Sequence, residues 1–396
     1  MTRKVFVAGV GMIPFKKPGT SESYDVMGAQ AVHQALEDAG LSYADVQQAY
    51  AGYVYGDSAC GQKALYRVGM TGIPVLNVNN NCATGSSALF LARQAVQSGA
   101  VDCALAVGFE LMNPGALKSV WTDRPLALER ANEVVEELVG RREGLSNAIR
   151  QFGGAGMAHM RKYGTKLETF AKIRAKASQH AARNPFAVFR NVISTEDVMA
   201  APMLWEGVLT RLMACPPTCG GAAAIVVSED FARKRGLRAN VLIGAQALTT
   251  DTPSTYEAKD MIRVVGFDMS RAAANSVYEQ AGIGPEDIDV IELHDCFAQN
   301  ELLTYEALGL CAEGEGEKLV NDGDNTYGGE WVVNPSGGLL SKGHPLGATG
   351  LAQCYELTQQ LRGSAGERQV ANAKTALAHN VGLGGACVVT VYQSAS

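Results

Sequence analysis

Four short stretches of this 396-residue chain hold side chains suited to covalent acyl chemistry. In NVNNNCATGSSALF, Cys82 follows a polar loop and stands just ahead of an amphipathic helix with Ala88, Leu89, Ala92, Ala95 and Val96 on its apolar face. A thiol at a helix N-terminus meets free N–H groups and the positive end of the helix dipole, so its pKa is expected to fall. The small neighbours Ala83, Gly85 and Ser86 leave room for an acyl group. On position alone, Cys82 reads equally as a nucleophile and as a buried structural cysteine. In NPSGGLLSKGHPLGATGLAQ, His344 occupies a Gly- and Pro-rich turn before a helix. A fixed backbone with an exposed ring suits general acid–base work, and the alternative is a turn histidine that caps the helix. In IELHDCFAQNELL, His294, Asp295 and Cys296 fall at the expected end of a buried strand. Period-two alternation puts His294 and Cys296 on one face and Asp295 on the other, an unusual pair for a core strand; a metal pair or a packed core are the other readings. HNVGLGGACVV offers a glycine loop whose N–H groups could hold an oxyanion, with His379 fixing that loop rather than reacting.

These residues need a scaffold of alternating strands and helices. VFVAGVG, AYAGYV and CALAVGF read as strands, and residues 25–39 have helical spacing with Gly40 as a stop. From about 113 to 215 the chain turns richer in Met, Arg and Lys, with broken helical patterns, and looks like an insertion over an α/β core. GGAAAIVVS returns to a buried strand, and alternation resumes from about 240. Three echoes point to two similar halves. ALEDAGLSYADV (35–46) matches VYEQAGIGPEDI (277–288), the turn at Cys82 matches the turn at His344, and GGAAAIVVS matches GGACVVTVY. A site at the junction of such halves is expected.

Composition narrows the classes of function. A 47% hydrophobic, 19% charged chain is globular rather than disordered. Its net charge of −6 and the lack of a Lys/Arg run argue against nucleic acid as a partner. No apolar stretch reaches the roughly 18–20 residues of a membrane helix, and MTRKVFVAGVGMIPF reads as a first strand rather than a signal peptide. The terminal QSAS is not a peroxisomal address. Nine cysteines without a spacing framework suggest free thiols in a reducing, cytoplasmic setting. Cys215 and Cys219 are spaced C-x3-C, but no second pair completes a zinc site.

Taken together, NNNCATGSSA, ELHDCFAQNELLTYEALGL, GDNTYGG, NPSGGLLSKGHPLGATGLAQ and HNVGLGG resemble the thiolase domain of the sterol carrier protein x type, over nearly the whole chain. The resemblance implies the five-layered α/β thiolase fold, with two related halves, an inserted loop domain and a homodimer. It divides the chain into a first half at 1–112 and 216–236, a loop domain at 113–215 and a second half at 237–396. It makes Cys82 the acyl-accepting nucleophile and His344 its base. Other thiolases carry Asn-Glu-Ala-Phe at 294–297 and Cys-x-Gly at 380–382. Here Cys296 takes the part of the second catalytic cysteine. One oxyanion hole would be His344 with a water held by His294, the other the backbone N–H groups of Cys82 and Gly382. The implied activity is 3-oxoacyl-CoA thiolysis to acetyl-CoA or propanoyl-CoA, in fatty-acid or sterol side-chain degradation. It needs no metal or redox cofactor, with CoA and acyl-CoA as substrates. A thiolase-like aldolase or Claisen-type synthase, and a non-catalytic CoA- or lipid-binding subunit, are the alternatives. The lipid-transfer domain that follows in the animal proteins is not expected.

Overall fold

Strand Val5–Met12 runs through the middle of a ten-stranded sheet and is buried along its length. Val5 and Val7, then Val10 and Met12 beyond a bulge at Val7–Gly9, face one core; Phe6 and Ala8 face another. Strand Cys103–Glu110 alternates in the same way, with Ala104 and Ala106 on one side and Cys103, Leu105 and Val107 on the other. Burial on both faces is why these strands read as unbroken apolar runs. The computed structural model describes residues 3–114, 121 and 123–395. Met1, Thr2, Ser396 and part of the expected insertion (115–120 and 122) lie outside the described residues.

The sheet is built twice over. Outward from its centre, one half is ordered Val5–Met12, Gly220–Ser228, Cys103–Glu110, Gln48–Gly52, Val75–Val78. The other is ordered Val241–Thr249, Ala386–Ser394, Thr375–Gly382, Val290–Glu292, Val332–Val333. Both follow one plan: the first strand in the chain is innermost, then the fifth, fourth, second and third. The halves join through Phe6 with Leu242 and Val7 with Val241. The echo between 35–46 and 277–288 is the same corner in each half. Gly40 (φ 66°) and Gly282 (φ 67°) close helices Tyr24–Ala39 and Phe267–Ala281, and a single 3₁₀ turn then leads into the second strand. These two helices cover the outer faces, while helices Thr84–Gln97 and Thr349–Leu361 pack side by side between the halves, completing five layers.

The helices inserted before strand Gly220–Ser228 fold onto the second half. Phe152 stacks on Phe297 at 5.2 Å, Arg174 donates to Ser341 Oγ at 2.7 Å, and buried Lys176 pairs with buried Glu301. No helix among the described residues is long and apolar enough to cross a membrane.

Two expected elements differ. The strand carrying IELHDC stops at Glu292, so alternation does not orient His294 and Cys296. Its neighbour Val332–Val333 ends there, and Asn334 at φ 54° closes the ladder by accepting the Leu293 N–H on Oδ1 (2.8 Å). HNVG is not a loop: His379–Gly382 pair with Ala386–Val389, and the turn is confined to Leu383–Gly385, where Gly384 and Gly385 take φ of 96° and 91°.

The two central helices start almost in contact. A Cβ on Gly350 would lie 2.1 Å from Ser86 Oγ and 2.3 Å from its backbone nitrogen, and one on Gly85 2.7 Å from the Gly347 carbonyl. Gly→Ala inside a helix ordinarily stabilises by roughly 0.5–1 kcal/mol. Here Gly350→Ala should instead destabilise by about 2–3 kcal/mol, the scale of overpacking. Urea denaturation checks this, and an unchanged or raised midpoint would refute the contact.

Candidate active site

Cys82 lies in the tight link between strand Val75–Val78 and helix Thr84–Gln97. Asn81 takes φ 53°, a left-handed conformation that Asn tolerates better than most residues. Thr84 Oγ1 accepts the Asn80 N–H (2.9 Å) and donates to the Asn81 carbonyl (2.6 Å). Gly382 presses on the same turn, since a Cβ there would sit 2.1 Å from the Asn80 oxygen. The sulfur is buried, with its own backbone N–H and that of Leu383 acting on it. Contrary to the expectation from the helix N-terminus, its pKa is not depressed. Burial first, and the nearby Glu110 carboxylate second, push it up to about 12. Cys82 therefore rests as a thiol and would need a base to act as a nucleophile.

His344 supplies a ring in the right state. Its Nδ1 lies 2.7 Å from Thr349 Oγ1, whose own hydrogen goes to the Pro345 carbonyl at 3.1 Å. The hydroxyl must therefore accept from Nδ1–H, which leaves the lone pair on Nε2. That Nε2 is buried, with no partner among the described residues. Burial, then the Lys342 charge, lowers the pKa to about 3, so the imidazole is neutral. The backbone is fixed by His344 N–H to Thr218 Oγ1 (2.5 Å) and by Gly347 N–H to Glu110 (3.0 Å). Glu110 also accepts the N–H groups of Val54 and Tyr55, so one buried carboxylate ties strand ends of the first half to the His344 turn. Burial raises its pKa to about 7.

His294 meets His344 edge to face, ring centroids 5.0 Å apart. Asn380 Nδ2 stands 3.0 Å from His294 Nδ1. With the amide donating there, the ring proton is on Nε2, and burial keeps the ring neutral. The Cys82 sulfur and one ring nitrogen from each histidine all lie within 4.8 Å of one another. Cys296 is buried beside them; burial, then Cys215, Cys82 and Asp295, push its thiol well above the ordinary range. Its carbonyl accepts the Cys215 N–H at 2.8 Å. Asp295 turns away and accepts the N–H groups of Leu339 (2.7 Å) and Leu340 (3.3 Å), knitting the Cys296 loop to the one leading into His344.

The residues singled out in the sequence thus converge: Cys82, His294 and His344 directly, Cys296 beside them, and Gly382 against the Cys82 turn. His379 faces the other side of its strand, 2.9 Å from Ser270 Oγ. The Cys219 sulfur accepts the Met112 N–H at 3.2 Å. The sequence reading missed Glu110, Thr349, Thr218 and Leu383. Only Glu110 carried a signal, as an acid closing the apolar run CALAVGF. In the inserted segment, a cavity of about 770 Å³ is lined by Arg141, Arg142, Arg161, Met160 and Val208. The Val208 carbonyl accepts Gln299 Nε2 (3.0 Å), three residues beyond Cys296.

A buried thiol, a neutral imidazole with a free lone pair and a second buried thiol, set between two like halves, form an arrangement with the chemistry for acyl transfer through cysteine. The chain belongs to the thiolase family: the thiolase N-terminal domain matches residues 5–198 and the thiolase C-terminal domain-like family residues 249–393. It is 55% identical to human sterol carrier protein 2 over 99% of this chain and 72% of that protein. Two solved structures share its fold. The Ltp2-ChsH2(DUF35) aldolase superposes with TM-score 0.82 at 23% identity, covering 99% of this chain and 98% of that one. Human mitochondrial 3-ketoacyl-CoA thiolase in complex with CoA superposes with TM-score 0.75 at 18% identity, covering 100% and 98%.

Because His344 is already neutral above about pH 4, its base form gains nothing as pH rises through the ordinary histidine range. If His344 is the base for acyl transfer to Cys82, the rate of that transfer from an acyl-CoA, measured by rapid quench, should therefore not accelerate between pH 5 and 8. An unperturbed histidine base would give a rise of roughly tenfold or more over that interval. Such a rise would show that His344 is not held neutral.

Proposed function

We propose that this thiolase-type acyltransferase catalyses CoA-dependent thiolytic cleavage of 3-oxoacyl-CoA. The observation that carries the reading is the Cys82 thiol facing the unprotonated Nε2 of His344, with a second thiol, Cys296, at hand. Cys82 attacks the 3-keto carbon as its proton passes to His344 Nε2. The C2–C3 bond breaks, leaving an acyl group on Cys82 and a thioester enolate. The new Nε2–H of His344, with a water held by His294 Nε2–H, stabilises the enolate oxygen. The N–H groups near Cys82, its own and those of Gly382 and Leu383, serve the oxygen of the tetrahedral adduct. Cys296, held as a thiol, protonates C2 and releases acetyl-CoA, or propanoyl-CoA from a 2-methyl substrate. Its thiolate then takes the proton of a second CoA, whose sulfur attacks the acyl group. Cys82 leaves as thiolate and recovers its proton from His344. Straight-chain and sterol side-chain 3-oxoacyl-CoAs are both within this chemistry.

The cavity in the inserted segment, where Arg141, Arg142 and Arg161 outnumber Glu143 and Glu206, offers guanidinium groups for the phosphates of CoA, and its wall at Val208 adjoins the Cys296 loop through Gln299. Edge strand Val75–Val78, just before Cys82, leaves Leu76 42% exposed, with Tyr66 (55%) and Met70 (78%) also exposed. Such an edge suits pairing with a second copy of the chain, a homodimer. Nine free cysteines support a reducing, cytoplasmic location.

Brief exposure to 3-oxoacyl-CoA without free CoA, then peptide mass mapping, should place the acyl group on Cys82. Cleavage of the matching 3-hydroxyacyl-CoA with no acylated cysteine would favour a retro-aldol course instead. His344→Ala should slow acylation by roughly 10²–10⁴-fold, and a near-normal burst would reduce His344 to a turn residue. Cys296→Ala should keep acylation of Cys82 but lose most turnover, together with solvent exchange of the acetyl-CoA α-protons. Exchange at the parent rate would move the proton shuttle elsewhere.

A further inference from the structure

We propose that Cys82, His294 and His344 also form a three-ligand site for a Zn²⁺-class cation, with a fourth position open to water, and that its occupancy holds the protein inactive. The donor set is one sulfur and two imidazole nitrogens, all buried and all within 4.8 Å of one another. Tetrahedral zinc places such atoms roughly 3.3–3.8 Å apart, so the site need close by only about 1 Å. One thiolate with two imidazoles selects Zn²⁺ and its soft neighbours over Mg²⁺ or Ca²⁺.

Three further observations point to a cation. His344 Nε2 is buried, unpartnered among the described residues and already in the lone-pair tautomer, with Nδ1–H donated to Thr349 Oγ1. This is the outer-shell hydrogen bond that orients a metal-ligating histidine. Asn380 Oδ1 is likewise buried without a partner, while its Nδ2 faces His294 Nδ1. Turning the amide over makes Oδ1 the acceptor for Nδ1–H and frees the His294 Nε2 lone pair, so one side chain serves both states of the ring. Glu110, the carboxylate that disfavours the Cys82 thiolate, favours a dication bound to it. Binding replaces the S–H bond of Cys82 by S–Zn and releases one proton to solvent; the ring proton of His294 moves from Nε2 to Nδ1. The metal is no partner in the thiolytic reaction. It occupies the sulfur and the base lone pair that the reaction requires.

The test uses the full, reduced, metal-free protein. Co²⁺ titration should give one equivalent per chain, with tetrahedral d–d bands and a sulfur-to-cobalt charge-transfer band, and Zn²⁺ should displace it. Cys82→Ala and His344→Ala should each weaken binding by at least about 100-fold, and Cys82→Ala should abolish the charge-transfer band. Cys215→Ser and Cys296→Ser should keep both, and Zn²⁺ should protect Cys82 of the parent protein from alkylation, mapped by mass. A charge-transfer band that survives Cys82→Ala, or is lost in Cys215→Ser or Cys296→Ser, overturns the assignment, as does octahedral Co²⁺. These readouts do not pass through thiolysis, so the site and the proposed activity, on which only the inactivation rests, fail or stand separately. Inhibition by Zn²⁺ reversed by a chelator is expected of the parent enzyme.

Discussion

The close contact between the starts of the two central helices is the constraint on which the site depends. Cys82 and His344 each sit just ahead of one of these helices, so the distance between the reacting groups is set by how near the helix ends can come. Gly85 and Gly350 remove the side chains that would hold them apart, and Gly108 and Gly347 do the same where a strand of the first half passes the His344 turn. Glu110 then fastens that turn to the first half through three backbone N–H groups. Backbone packing against backbone gives little room for relaxation, so the geometry is held by the rigid part of the fold rather than by mobile loops.

That tight packing also decides the electrostatics. With water excluded, every group at the centre rests neutral: two thiols with raised pKa values and two imidazoles with lowered ones. A neutral thiol–imidazole pair has no standing charge to desolvate when an apolar acyl chain enters. In the proposed reaction, charge appears only as the sulfur attacks, in surroundings of low dielectric where fixed N–H donors act most strongly. The helix dipole, which seemed from the sequence to promise a resting thiolate, contributes against a larger desolvation cost.

Much of this plan was readable in the sequence because it repeats. The Gly40 and Gly282 corners, the two helix starts and the two GG-led strands each recur at equivalent places in the halves, and each has its own composition. Cys82 and His344 were legible because a reactive residue type stood just before a helix, after a polar loop for Cys82 and in a Gly- and Pro-rich turn for His344. What escaped was set by tertiary contact. Strand Val290–Glu292 stops early because Asn334 ends its neighbour, a fact located 40 residues away. His379–Gly382 form a strand, although they lead into a glycine-rich turn, because Ala386–Val389 pair with them. The burial that raises the Cys82 pKa, and the hydroxyl of Thr349 that fixes the tautomer of His344, leave no periodic trace.

The inserted helices belong to the first half by connectivity but to the second by contact. Helix Leu167–Ala182 carries Arg174, Lys176 and His180, all buried, and their partners are Ser341, Glu301 and the Asn334 carbonyl. During synthesis the Arg174 and Lys176 cations and the neutral His180 ring emerge more than 120 residues before the groups that bind them. The insert therefore has no finished surface to bury against until the second half is made, and its burial is a long-range closure of the kind that slows folding. Severing the chain between the halves, near residues 236–240, would leave the first piece with unpaired buried charges, although each piece would contain every strand of its own sheet.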